Sequence, residues 1–136
     1  MTRMNIRLLQ PAGLVASPAF SHTAIVPPGA TTIYVGGQNG VDENGSVVSA
    51  DIAEQSLRAV ENAGVALEAA GATLGDVIAW TVLIDADADL RAAYGAIAPK
   101  LARPGAPPLV TAARVAGLAV PGALIEVSAI AALPPR

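Results

Sequence analysis

The chain has no cysteine, one histidine and one lysine, and charged residues make up only 14% of its 136 positions. Without cysteine there is no disulfide framework and no thiolate nucleophile or ligand. The single histidine, His22, cannot build a conventional zinc site, so no metal is expected and His22 reads as a structural or surface residue. A Ser-His-Asp arrangement would need a nucleophile beside His22, and nothing in the sequence places one there. Neither G-x-x-x-x-G-K-[ST] nor G-x-G-x-x-G occurs. Lys100 and seven arginines scattered from Arg3 to Arg136, with a net charge of −3, do not form the clustered basic stripe that nucleic-acid binding requires. The longest uncharged stretch late in the chain, Val115 to Ile125, is interrupted by Pro121 and falls short of the ~18 apolar residues of a spanning helix. The start, Met1 to Arg7, reads as the approach to a strand rather than an apolar signal core, so a cytoplasmic protein without membrane or nucleic-acid partners is expected.

What the chain has in quantity is apolar residues, at 53%. A typical soluble domain carries roughly 25% charge. With so few charges to coat a small domain, apolar surface must be hidden elsewhere, and subunit interfaces are the economical place. A single domain working as a homo-oligomer is expected.

Asn5 to Leu9 reads as a first short strand, and Ser21 to Val26 and Thr32 to Val35, rich in β-branched or aromatic residues, as two more, with a turn at Pro27-Pro28-Gly29. Asp42-Glu43-Asn44-Gly45 is a second turn, after which Val47 and Val48 begin a return strand. A helix is expected from about Asp51 to Ala70, capped by Asp51 with Glu54 three residues on and ended by Gly71. Ala53, Leu57, Val60, Gly64 and Leu67 form its apolar stripe. Asp76 to Ile84 is nearly continuous in apolar residues and reads as a central strand buried on both faces. A second helix follows from about Asp87 to Leu101, with Leu90, Tyr94, Ile97 and Leu101 inward. Leu109 to Val115 and Leu124 to Ala131 complete the order β-β-β-α-β-α-β-β. That order predicts an α+β two-layer domain, a mixed sheet with two helices on one face and an apolar opposite face left for another copy.

Four segments together resemble the RidA/YjgF family, the reactive intermediate deaminase superfamily. They are Phe20-Ser21-His22-Thr23, Tyr34-Val35-Gly36-Gly37-Gln38, Ala72-Thr73-Leu74-Gly75-Asp76-Val77 after the helix, and Ile125-Glu126-Val127-Ser128-Ala129-Ile130-Ala131. The resemblance spans nearly the whole chain, and the glycine-glutamine turn with the terminal I-E-x-x-A-I-A strand is its most specific part. It implies a chorismate-mutase-like fold and a homotrimer with small-molecule clefts between subunits. It also implies cofactor-independent hydrolysis of enamines and imines to 2-oxo acids and ammonia. A ribonuclease label also attached to the family fits poorly with the acidic balance here.

The resemblance places Phe20, Gly36, Gly37, Gln38, Arg91, Val110 and Ala112 at the ligand and Glu126 as the acid. Most of these positions depart from the family pattern. The carboxylate-holding arginine of a P-x-R-[ST] segment falls at Val110 in Pro108-Leu109-Val110-Thr111, and an uncharged side chain cannot make the bidentate contact a carboxylate wants. The family's tyrosine is Phe20, its serine before the glycine is Gly36, its asparagine on the second helix is Arg91, and the small residue two past the arginine slot is Ala112. Only Glu126 keeps the family's acid. Set among Leu124, Ile125 and Val127, it is either an interface glutamate paired with an arginine or a partly desolvated acid able to move a proton; the resemblance favours the cleft. Gly36-Gly37-Gln38-Asn39-Gly40 is either a bent strand end or a close backbone approach to a ligand. Arg91 is either a solvated side chain or a replacement cation. Arg114 shares a strand face with Val110 but lies ~13 Å further along, which suits an interface ion pair, with Glu126 as a candidate partner. Trp80 and Leu118 read as packing. Two function classes follow: a divergent imine or enamine deaminase-like hydrolase with weak or absent activity on 2-iminobutanoate and 2-aminoacrylate, or a non-catalytic ligand-binding or protein-stabilising trimer.

Overall fold

In the computed structural model, which describes residues 5–136, the periodic segments fold as helices and the β-branched runs as strands. Met1 to Met4, read from the sequence as part of the approach to the first strand, lie outside the described residues. Strands β1 (Arg7–Leu9) and β2 (Thr23–Ile25) pair antiparallel as a small ribbon. The main sheet contains β3 (Thr31–Asn39), β4 (Val77–Asp85), β5 (Leu109–Val115) and β6 (Ile125–Leu133) in the order β3-β6-β4-β5. β6 runs antiparallel to both neighbours, whereas β4 and β5 are parallel. A parallel pair needs a crossover, and α2 (Leu90–Leu101) supplies it. α1 (Ile52–Ala69) connects β3 to β4, and the two helices lie against each other on one side of the sheet. This is the expected α+β, two-layer architecture.

Helix α1 begins where the Asp51 carboxylate accepts from the Glu54 N–H at 3.1 Å. It ends at Gly71, whose φ of +80° lets the Ala72 N–H reach back to the Leu67 carbonyl. The buried face differs from the predicted stripe. Ile52, Gln55, Ser56, Ala59, Val60, Ala63 and Leu67 are buried, while Ala53, Leu57 and Gly64 are only half-buried. Two polar residues turn inward because their hydrogen bonds are met: Ser56 Oγ donates to the Ile52 carbonyl, and Gln55 donates to the Ser49 and Gly122 carbonyls while accepting from the Leu124 N–H. Gln55 thereby fastens α1 to the loop that leads into β6.

Helix α2 starts at Leu90, capped by Asp89, rather than at Asp87. Its buried residues are Ala93 and Ile97; Leu90 and Tyr94, expected inward, are 41% and 53% exposed. β3 runs through Asn39 instead of stopping near Val35, with a bulge between Val35 and Gln38. The return strand expected at Val47 is a single bridge to Val41, closed by a turn in which the Asp42 carboxylate accepts from the Asn44 and Ser46 N–H groups.

The helix side of the sheet carries Val35, Trp80, Ile84, Ile125, Val127, Ala129 and Ala131, which pack against Ala59, Ala63 and Leu67 of α1. The other side is less apolar than the sequence suggests. Thr111, Thr81 and Ser128 lie side by side across three strands, with Glu126, Leu83 and Ala113 in the adjacent row. Thr81 is exposed, so β4 is buried on one face, not on both.

Gln55 is fully buried and serves three backbone groups. Gln55→Leu keeps the volume and strands those partners, at ~1–3 kcal/mol for each group left unpaired. A fall in denaturation midpoint of at least 2 kcal/mol equivalent is expected in urea unfolding.

Candidate active site

The segment Gly36 to Gly40 is built around two close approaches. A Cβ on Gly37 would lie 2.7 Å from Glu126 Oε2, and one on Gly40 would lie 2.5 Å from the Gln55 carbonyl oxygen of α1. The first glycine makes room for the carboxylate and the second for a helix backbone. Between them the buried Asn39 donates from Nδ2 to the Ile125 carbonyl at 2.9 Å. Asn62 of α1 donates to the Asn39 and Val41 carbonyls and accepts from Arg58 Nε. The end of β3 is therefore held on both sides, by β6 and by α1. The segment is a bulged strand end, as one of the two sequence readings had it, and the group that Gly37 approaches closely is the Glu126 carboxylate.

Glu126 pairs with Leu83 on one side and Asn39 on the other, and its side chain is half-buried on the face away from the helices. No hydrogen bond or ion pair engages its carboxylate among the described residues. Gly36 is exposed with open space where a Cβ would be. Gln38 turns back on its own segment, donating weakly to the Gly36 carbonyl at 3.3 Å. A carboxylate beside exposed backbone in this way can exchange a proton with a bound molecule and orient a water.

Val110 and Ala112 sit elsewhere. They pair with Trp80 and Val82, so they point to the helix side of the sheet, opposite to Glu126. There they form one wall of a cavity of about 370 Å³ between β4, β5 and α2. Leu90, Tyr94 and Ile97 form its roof, and Pro18 and Ala19 stand at its mouth. The outward displacement of Leu90 and Tyr94 thus has a physical reason: these two large side chains overhang the cavity instead of closing on the sheet.

Phe20 packs edge-on against His22 at 5.4 Å between ring centroids, and its carbonyl accepts from Gln10 Nε2. His22 itself bonds the Val15 carbonyl through Nε2 at 2.6 Å, which makes it a clasp for the preceding loop, as its structural reading requires. Ser21 ties the same loop to the start of β5, with its Oγ donating to the Pro107 carbonyl and its N–H to the Pro108 carbonyl. Arg91 is exposed and does not line the cavity. Arg114 shares Val110's face, as expected. Its guanidinium, however, donates to the Ala86 and Ala88 carbonyls at the entry to α2, across the sheet from Glu126, so the Arg114–Glu126 pair does not form within the chain.

Arg103 is a residue the sequence reading missed. It borders the cavity, donates to the Gly75 and Val77 carbonyls at 2.7 and 2.6 Å, and makes two longer bonds to the Ala106 carbonyl. Burial lowers its pKa from the ordinary arginine value, with nearby Asp76 opposing the shift. Its position in the turn-rich run Arg103-Pro104-Gly105-Ala106-Pro107 was the available signal, since such loops expose carbonyls that a guanidinium can gather. No His/Asp/Glu cluster that could hold a metal occurs among the described residues. No helix among them is long and apolar enough to cross a membrane.

The sequence family described as Endoribonuclease L-PSP matches residues 12–133. The human protein named 2-iminobutanoate/2-iminopropanoate deaminase is 43% identical over 54 residues, 39% of each chain. Matches of this kind span less than half the length of the curated relatives. Solved structures align more completely. The Rid-family protein YyfB from Yersinia pestis superposes with a TM-score of 0.73 at 28% identity, covering 96% of this chain and all of that one. The YjgF gene product of Escherichia coli gives 0.60 at 30% identity, covering 74% and 79%. With the family model matching residues 12–133 and a Rid-family structure superposing over 96% of it, the chain belongs to the Endoribonuclease L-PSP family, the RidA/YjgF superfamily.

Proposed function

We propose that the protein is a cofactor-independent hydrolase of the imine/enamine deaminase type, acting in a homotrimer at clefts between subunits on a substrate without a carboxylate at the Val110 end. One observation carries this reading. The site residues divide into Glu126 with Gly36 and Gly37 on one face of the sheet, and Val110 with Ala112 on the other. One chain cannot bring the two sets to a single small molecule through its own sheet. A neighbouring copy can, and the low charge fraction of 14% gives independent reason for one.

The chemistry asks little of the protein. Water adds to the imine carbon to form the C–O bond while the imine nitrogen takes a proton. The carbinolamine then collapses, the C–N bond breaks, and ammonia leaves as the carbonyl forms. A carboxyl group that alternately gives and takes a proton serves both stages, and Glu126 is free to do so. No residue of the described chain supplies a clamp in place of Val110: Arg103 and Arg114 are committed to backbone carbonyls, and Arg91 lies away from the cavity. The missing clamp also suits a trimer that binds ligands without turnover, and the Glu126 variant below separates the two.

Light scattering at micromolar concentration is expected to give three chain masses; a monodisperse monomer would remove the shared cleft. Oxo-acid release from 2-iminobutanoate should run about one to two decades below an arginine-bearing relative, because an arginine–carboxylate bond contributes ~1.5–3 kcal/mol. Comparable turnover would mean that another cation holds the carboxylate.

Glu126→Gln keeps shape and hydrogen bonding but cannot exchange a proton. With benzaldimine generated in situ by oxidising benzylamine with O2 and an amine oxidase, aldehyde release above the spontaneous rate should fall by ~10²–10⁴-fold. Gly37→Ala should also lower activity, since its Cβ would displace the carboxylate, while leaving the melting temperature nearly unchanged. Normal turnover in Glu126→Gln would place the chemistry elsewhere, and a wild type with no activity to lose would favour the binding-only trimer.

A further inference from the structure

The Val110–Ala112 wall opens onto far more room than a small imine fills. The cavity of about 370 Å³ runs beneath α2 to a floor that includes Trp80, Ile84, Ile125 and Val127, each at most 3% exposed. For comparison, a dry cavity of roughly 150 Å³ already holds benzene. The α2 residues that line this space include the small Ala93 and Ala98, where bulkier side chains would have filled it. Its one charged neighbour among the described residues, Arg103, directs four of its five N–H donors at the carbonyls of Gly75, Val77 and Ala106. A carboxylate placed there would be desolvated without a partner, which is strongly unfavourable. At the mouth the apolar parts of Leu90 and Tyr94 remain in water unless something covers them.

We propose that the cavity beneath α2 receives an uncharged aryl or branched-alkyl group of the substrate, so that the ligand is selected by apolar fit at the place where an arginine would select a carboxylate. The proposal rests on reading Val110 and Ala112 as half of the ligand cleft, and it assigns the substrate class: a neutral imine or enamine with a bulky apolar substituent. Polar lining is scarce, so discrimination comes from shape and from rejection of charge.

Trp80 is the chain's single tryptophan and lies in the cavity wall, which makes occupancy directly readable. Iodobenzene should quench its fluorescence saturably in the assembled protein, with half-saturation below about 1 mM, while 4-iodobenzoate should bind at least tenfold more weakly. Ala98→Phe from the roof and Ala112→Phe from the sheet each fill the space and should weaken iodobenzene at least tenfold, with circular dichroism and melting temperature reporting the fold. If one filler fails to fold, the other decides. Glu126→Gln should leave iodobenzene affinity within twofold. Linear quenching, equal binding of the two probes, indifference to a folded filler, or quenching seen only in dissociated chains would each overturn the proposal. The last result would mean that a neighbouring subunit fills the cavity. Loss of turnover in Glu126→Gln without saturable quenching would keep the catalytic reading and remove this one. Saturable quenching with undiminished turnover would do the reverse.

Discussion

The alternation along β6 is the constraint on which the rest of the structure depends. This strand is hydrogen-bonded on both sides, to β3 and to β4, so its register is set twice over. Ile125, Val127, Ala129 and Ala131 must face the helices, because together they form the floor on which α1 packs. Glu126, Ser128 and Ile130 then have no choice but the opposite face. A slip by one residue would bury the carboxylate under α1 and expose the core row, so the position of Glu126 is enforced by the burial of its neighbours. The same constraint separates it from Val110, which faces the helices because it pairs with Trp80.

Around that frame the glycine segment and the buried polar residues act as spacers and fasteners. Gly37 leaves room for the carboxylate and Gly40 for the backbone of α1, while Asn39, Asn62 and Gln55 satisfy the carbonyls and N–H groups where strand, helix and loop converge. Each of these polar groups is buried or half-buried and each is paired, which is the condition for tolerating them near a core. They give the acid a stiff backing. The other half of the candidate site is loose by contrast. An alanine-rich α2 lies against α1 and leaves an apolar cavity above β4 and β5, with Val110 in its wall.

The two half-sites lie on opposite faces of the sheet, so a ligand touching both would need a second copy of the chain. The face bearing Glu126 presents threonine and serine hydroxyls beside Leu83 and Ile130, so an interface there would be half polar rather than a simple apolar seal. Hydroxyl rows of this kind can satisfy one another or bound water across a contact.

Much was determined by the sequence by itself. The capped helix at Asp51, the Gly71 stop, the β-branched strands and the order of elements follow from local backbone preferences, which act within a few residues. The family segments Gly36-Gly37-Gln38 and Ile125-Glu126-Val127 likewise stand in the sequence with their spacing intact. Tertiary structure alone decided which helix face is buried, since Gln55 and Ser56 look polar until their partners at Gly122, Leu124 and Ile52 are in place. It alone placed Val110 and Glu126 on opposite sides of the sheet, because Val110 pairs with Trp80 and Glu126 with Leu83, and those pairings join strands far apart in the chain. It also turned Arg103 and Arg114 from free cations into braces for backbone carbonyls. The physical reason is common to all three: hydrogen-bond partners and cavities are made by segments far apart in the chain, and only their meeting in space defines them.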